Sequence, residues 1–228
     1  MRSCFIRFGL KPDVRIINSY WFKKILGYLI EADVKTKDIA LIALFAALII
    51  ALGLVPPIPM PLVPVPITLQ TFGVMLAGLI LGPKRAGLVL LLYVMIALLG
   101  LPVLPGGRAG LAVLAGPTAG FLLGMIPGAV VTGWLALVLN RNSNLKTDSS
   151  SHRALQSNPK WEIMRYTLAA IVGGIVLVYA IGIPWLALVT KMGLTKACWA
   201  LVVFLPGDVL KALVAAVVAQ RIRRLNMV

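Results

Sequence analysis

Two side chains in the stretch "FLPGDVLKALVAAVVAQ" (residues 204–220) have the types and spacing to do chemistry where the sequence is otherwise apolar. Asp208 and Lys211 stand three residues apart, so on a helix they share a face and can neutralise one another. Near the middle of a bilayer an Asp or a Lys costs roughly 2.5–3.5 kcal/mol on insertion scales, so the pair is expensive to keep without a use. Pro206 and Gly207 break the segment just before it, which puts Asp208 at the start of a last helix, where the dipole favours a carboxylate. Together they offer an acceptor and a donor to a polar solute. The plain alternative is an ion pair that only locks the packing.

Three more polar residues fall in segments that read as the same outer half. Arg108 sits in "GGRAG": glycines allow close approach of a ligand, and the guanidinium fork suits a carboxylate or a lipid headgroup. Thr68 and Gln70, in "VPITLQTFG", can hydrogen-bond a solute or cap the helix that follows. Nothing resembles a nucleophile–base set, a G-x-x-x-x-G-K-[ST] phosphate loop, H-E-x-x-H or a Cys/His cluster. The sequence therefore gives no catalytic residue, no metal site and no cofactor, and it does not read as an enzyme. The lone His152, in "SSSHRALQSNP", reads as a solvated surface residue, and Cys4 and Cys198 form no useful bridge.

The elements that hold these groups are membrane helices. Of 228 residues, 60% are hydrophobic and 13% charged, whereas a soluble domain has about a quarter charged. The net charge of +15 does not mark a nucleic-acid binder, because 18 of the 22 Lys and Arg residues fall in four polar blocks. These are residues 1–38, Lys84–Arg85, residues 140–165 and the tail from Arg221. Cytoplasmic loops carry such an excess. Placing all four inside requires an even number of spans.

The spans read as residues 38–55, 67–82, 86–100, 117–139, roughly 166–188 with an end near Pro184, and a last one through Asp208 into the basic tail. The run "PPIPMPLVPVP" (56–66), with six prolines in eleven residues, cannot be helix and should be a stiff, extended outer connection. Residues 101–116 read as an irregular outer segment and 140–165 as the only long polar loop. The expected fold is an all-α integral membrane protein, a bundle of six transmembrane helices with cytoplasmic N- and C-termini. Residues 38–223 form the transmembrane domain. Residues 1–37 are a basic cytoplasmic or interfacial extension, with a candidate surface helix around 17–29. Ala43, Ala47 and Ala51 make Ala-x-x-x-Ala steps suited to close packing within the bundle or against an external partner helix, and Gly116, Gly120, Gly124 and Gly128 suit packing within the bundle.

Three strings taken together, "VPITLQTFGVMLAGLILGPKR", "LLGLPVLPGGRAGLAVLAGPTAGFLLG" and "LPGDVLK", resemble the BioY family, the biotin-binding membrane subunits of energy-coupling-factor vitamin transporters. The resemblance covers residues 38–223. It implies six membrane helices that bind biotin near the outer face of a prokaryotic plasma (inner) membrane, among membrane lipids. It also implies a separate energising module, a transmembrane coupling protein with two ATP-binding cassette subunits, which docks on the surface carrying Ala43, Ala47 and Ala51. The family's site residues correspond to Arg108, Asp208 and Lys211. Gln70 belongs to the second-helix string, and Tyr93 is assigned to the same region. Biotin's ureido ring and carboxylate then divide among Asp208, Lys211 and Arg108, with the last two interchangeable. The rival readings are a subunit for another small vitamin, a membrane enzyme using Asp208 as a base, and a bundle in which the pair only fixes packing.

Overall fold

The computed structural model describes residues 36–60, 63–144 and 159–225. The extension's candidate surface helix, Cys4 and His152 lie outside them. The chain divides into residues 1–36 and a compact unit, Lys37–Val228, which is the part described below. Among the described residues this unit has eight α-helices, the fifth and sixth joined by a π-helical segment into one continuous helix, and one two-stranded hairpin.

Helix α1 (Thr36–Leu54) stops one residue past Gly53, ahead of Pro56–Pro57. The proline-rich connection is indeed not helical, and it folds back on itself. Strand β1 (Ile58–Met60) pairs antiparallel with β2 (Val63–Ile67), with Ile58 opposite Ile67 and Met60 opposite Val63. Pro59, Pro64 and Pro66 are tolerated because a two-stranded sheet has only edge strands, each with a side that needs no ladder donor.

Helix α2 (Gln70–Leu81) is twelve residues long and ten of them are buried. It starts three residues later than the pattern suggested, because residues 67–69 still belong to the hairpin and its exit. Gly82, at φ 80°, turns the chain into α3 (Pro83–Leu98), where Pro83 occupies the first turn, a position that needs no N–H. Residues 99–118 form an irregular loop with a short 3₁₀ turn at Leu111–Ala115. Helix α4 (Ala119–Asn144) passes through Pro127 and packs against α2, α3 and the later long helix.

That later helix runs unbroken from residue 159 to 190. It consists of α5 (Pro159–Ala170), a π-helical segment (Ile171–Leu177) and α6 (Val178–Thr190). Two expectations need correction here. The helix does not end near Pro184, which lies within α6. The polar loop is also shorter than 140–165: helix continues to Asn144 and resumes at Pro159. Both helix ends are rich in polar residues, so composition alone could not separate loop from helix.

Helix α7 (Leu194–Val202) and α8 (Leu205–Arg224) complete the unit. Three helical stretches, Thr36–Leu54, Ala119–Asn140 and Lys160–Thr190, are long and apolar enough to cross a membrane. The glycine stripe on α4 supports close packing inside the bundle. A Cβ on Gly128 would meet Val178 and the Gly173 carbonyl, and one on Gly124 would touch the backbone of Val178. Helix α1 rests on α2 through Ile49 and Leu52, which lie over Gly73. Its face with Ala43, Ala47 and Ala51 is exposed.

Candidate ligand-binding site

The start of α8 sets the first part of the site. Pro206 occupies its first turn and Asp208 lies in that turn, 5% exposed, as the sequence suggested. Lys211 Nζ lies 2.8 Å from Asp208 Oδ1, with side chains 12% and 7% exposed, so water screens the pair little. The ammonium also donates to the Thr68 carbonyl at 2.7 Å and to Thr71 Oγ1 at 3.3 Å. Thr71 in turn donates to Asp208 Oδ1 at 3.3 Å. The three donors of Lys211 are thus all engaged by the protein. Its charge serves the site, while a new bond to a solute would require giving one of these up.

The second oxygen of Asp208 accepts from Tyr179 at 2.6 Å. Sequence reading singled out neither Tyr179 nor Thr71. Thr71 sits next to Gln70, and a triad of Thr68, Gln70 and Thr71 at one helix start was a legible hint. Tyr179 lies 29 residues before Asp208 on another helix, and nothing local in the sequence marks it.

Gln70 and Tyr93 form a layer behind the site. Gln70 is 3% exposed and Tyr93 fully buried, and Gln70 Nε2 donates to the Tyr93 hydroxyl. That hydroxyl faces the Val103 carbonyl at 3.5 Å, which ties α3 to the loop after it. Thr68 does not cap α2, whose first turn has no side-chain cap; its backbone oxygen serves Lys211 instead.

Arg108 is carried by a loop shaped by glycine. Gly106 and Gly107 adopt φ of 76° and 71°, a left-handed pair that a side-chain-bearing residue resists, and Gly110 follows at 79°. The turn is closed by Gly107 N–H donating to the Leu104 carbonyl at 3.0 Å. The guanidinium donates to the Pro105 carbonyl and to Thr118 Oγ1, both at 3.3 Å, and remains exposed. At the other end of the same loop, Trp185 Nε1 of α6 donates to the Gly116 carbonyl at 3.0 Å.

Two cavities of about 60 Å³ each adjoin these groups. One is lined by Arg108, Gln70 and Thr118, the other by Asp208, Lys211, Thr71 and Tyr179. Both include Val65, Pro66, Thr68, Phe121 and Met125, so they are two lobes of one cleft sharing an apolar wall. Arg108, Asp208, Lys211, Thr68 and Gln70 therefore line this cleft, while Tyr93 lines neither lobe and stands behind Gln70. Among the described residues no group of three or more His, Cys, Asp or Glu side chains is placed to hold a metal.

An apolar helical bundle with an ion pair at one lobe of a cleft and a guanidinium at the other has the make-up of a multi-pass membrane protein that holds a solute with two polar ends. The chain belongs to the BioY family, whose sequence model matches residues 24–227. It is 47% identical over 189 residues to the biotin transporter BioY of Rhizobium etli, covering 82% of this chain and 93% of that protein. To the biotin transporter BioY of Rhodobacter capsulatus it is 43% identical over 195 residues, again 82% and 93%. Its fold matches the crystal structure of the S-component for biotin from an ECF-type ABC transporter with a TM-score of 0.71 and 30% identity. That match covers 85% of this chain and 94% of the other.

Proposed function

We propose that this chain is the biotin-capturing membrane subunit of an energy-coupling-factor importer: a transport protein, not an enzyme. The observation that carries the reading is the two-lobed cleft, one lobe with a guanidinium, the other with a carboxylate charge-balanced by an ammonium. Biotin has complementary ends. Its carboxylate suits Arg108, which can release the Pro105 carbonyl and Thr118 for a charged partner. A ureido N–H suits Asp208. The wall of Val65, Phe121 and Met125 suits the sulfur ring and aliphatic chain. With the donors of Lys211 engaged, we assign it to charge balance and Arg108 to the carboxylate.

In this reading α1, α2, α3, α4, the 159–190 helix and α8 are the six spans, and residues 38–223 the transmembrane domain. The hairpin, the 99–118 loop and α7 lie outside. The basic ends lie in the cytoplasm, in a prokaryotic inner membrane. The exposed face of Ala43, Ala47 and Ala51 meets the transmembrane coupling protein, and two ATP-binding cassette subunits supply the energy this chain has no phosphate loop to harvest.

Equilibrium binding of radiolabelled biotin to the purified chain, with biotin methyl ester as competitor, tests it. Wild type should bind biotin and prefer it to the ester by about 10–100-fold, as expected for one charge-assisted contact. Arg108→Ala should bring that preference near one. A well-folded wild type that binds no biotin rejects the reading; Arg108→Ala with the full preference for the free acid rejects only the carboxylate assignment.

A further inference from the structure

Asp208 faces the cleft with most of its acceptor capacity already used. Oδ1 accepts from Lys211 and Thr71, and Oδ2 from Tyr179. An ionised carboxylate offers about four lone-pair positions, so one remains, on Oδ2. Tyr179 decides which one.

Its place is set by the π-helical segment that ends two residues before it. A π turn adds a residue to the helix and rotates all that follows by about 100° relative to an unbroken α-helix. Without that extra residue, the Tyr179 side chain would turn away from α8. The segment is held where it is by small residues. A Cβ on Gly173 would collide with the backbone of Thr132 on α4, and one on Gly174 with the Met75 side chain on α2. The Tyr179 ring is braced independently of its hydroxyl, edge-on against Phe121 of the shared wall (centroids 6.1 Å apart, 88° between planes). The hydroxyl is therefore separable from the packing.

We infer that Tyr179 is a specificity-determining positioning residue: by occupying one position on Asp208 Oδ2 it fixes the carboxylate plane and leaves a single acceptor, so the site grips one of the two ureido N–H groups and not both. This rests on the biotin reading above. Tyr179 acts through Asp208 and does not itself need to touch the ligand.

The test uses two isomers of biotin, each methylated on a different ureido nitrogen, competed against radiolabelled biotin on wild type and Tyr179→Phe. Wild type should bind one isomer at least about tenfold better than the other, since one N–H is required at Asp208 and the other is not. Tyr179→Phe, with a thermal transition like wild type, should weaken biotin about tenfold and bring the isomer ratio to within about twofold of one. A wild type that binds biotin but treats the isomers alike overturns the inference, and this arm holds even if the variant fails to fold. A folded variant with an unchanged ratio overturns it too, whether or not affinity falls, because that is what lost packing alone would give. A wild type that binds no biotin at all instead overturns the functional reading beneath.

Discussion

Replacing Lys211 by methionine keeps most of the length and bulk of the side chain, one atom shorter, and removes its charge and three donors. Asp208 then stays 5% exposed, with only Thr71 and Tyr179 to hold its charge. The Thr68 carbonyl also loses the donor at 2.7 Å. Breaking a buried pair by removing one partner costs about 3–5 kcal/mol, because the remaining charge is uncompensated. At about 2–4 °C per kcal/mol for a unit of this size, the melting temperature should drop by roughly 10 °C. Adding Asp208→Asn removes the stranded charge and leaves an amide oxygen for Tyr179, so the double variant should regain most of that loss. Biotin binding should not return with it, since neither the carboxylate nor its counter-charge is restored. Thermal unfolding in detergent, paired with radiolabelled-biotin binding, reads both. A single variant as stable as wild type would refute the claim that the pair sits in low dielectric. A double variant that binds biotin like wild type would show that the pair serves packing alone.

Two other substitutions test the frame around the site. Gly173→Ala places a Cβ 2.5 Å from the Thr132 amide nitrogen and 2.6 Å from the Gly128 carbonyl, backbone atoms that cannot step aside, and should cost about 1–3 kcal/mol in thermal unfolding. Gly207→Ala, with nothing within 4 Å of the new methyl and a place in the first turn of α8, should be neutral or stabilise by up to about 1 kcal/mol; equal effects at the two sites would contradict the packing described. Ala47→Leu on the exposed face of α1 should change stability by less than about 0.5 kcal/mol and leave biotin binding intact, yet abolish co-purification with the coupling protein. A variant that still co-purifies would move the docking surface elsewhere.

What the sequence made legible follows from one-dimensional physics. Hydropathy, punctuated by Gly53, Pro56–Pro57, Gly82–Pro83 and Gly116–Pro117, located the first four helices within a few residues. The position of Asp208 in the first turn of α8 followed from Pro206, because proline's ring favours that turn. Pro184 misled for the complementary reason: a proline inside a long helix can be accommodated when neighbours hold both sides, which only packing reveals. The π segment was invisible because Ile171–Leu177 has the composition of any membrane helix. The pairing of the cleft's second set of donors with Asp208 was hidden likewise, although Thr71's place beside Gln70 was a hint. Thr71 and Tyr179 meet Asp208 across 137 and 29 residues of chain, and no spacing rule links them.

Helix α2 is pinned to α8 at both ends. Lys211 holds the Thr68 carbonyl at its start, and Arg223 of α8 donates to the Leu79 carbonyl at 2.6 Å near its finish while lying over the Tyr166 ring. The two helices run parallel, and about 18 Å of α8 separates the two clasps, matching the eleven residues between Thr68 and Leu79 on the other side. Sliding one against the other would break both clasps at once. With ten of its twelve residues buried, α2 lies at the centre of this packing. The cleft's other walls include the proline-rich hairpin, through Val65 and Pro66, and the glycine-turned loop that carries Arg108. The cleft's charges are thus mounted on two separate parts of the fold, the carboxylate–ammonium pair on the clasped helix and the guanidinium on the loop, so the span between its two polar ends is set by how that loop sits against the helices.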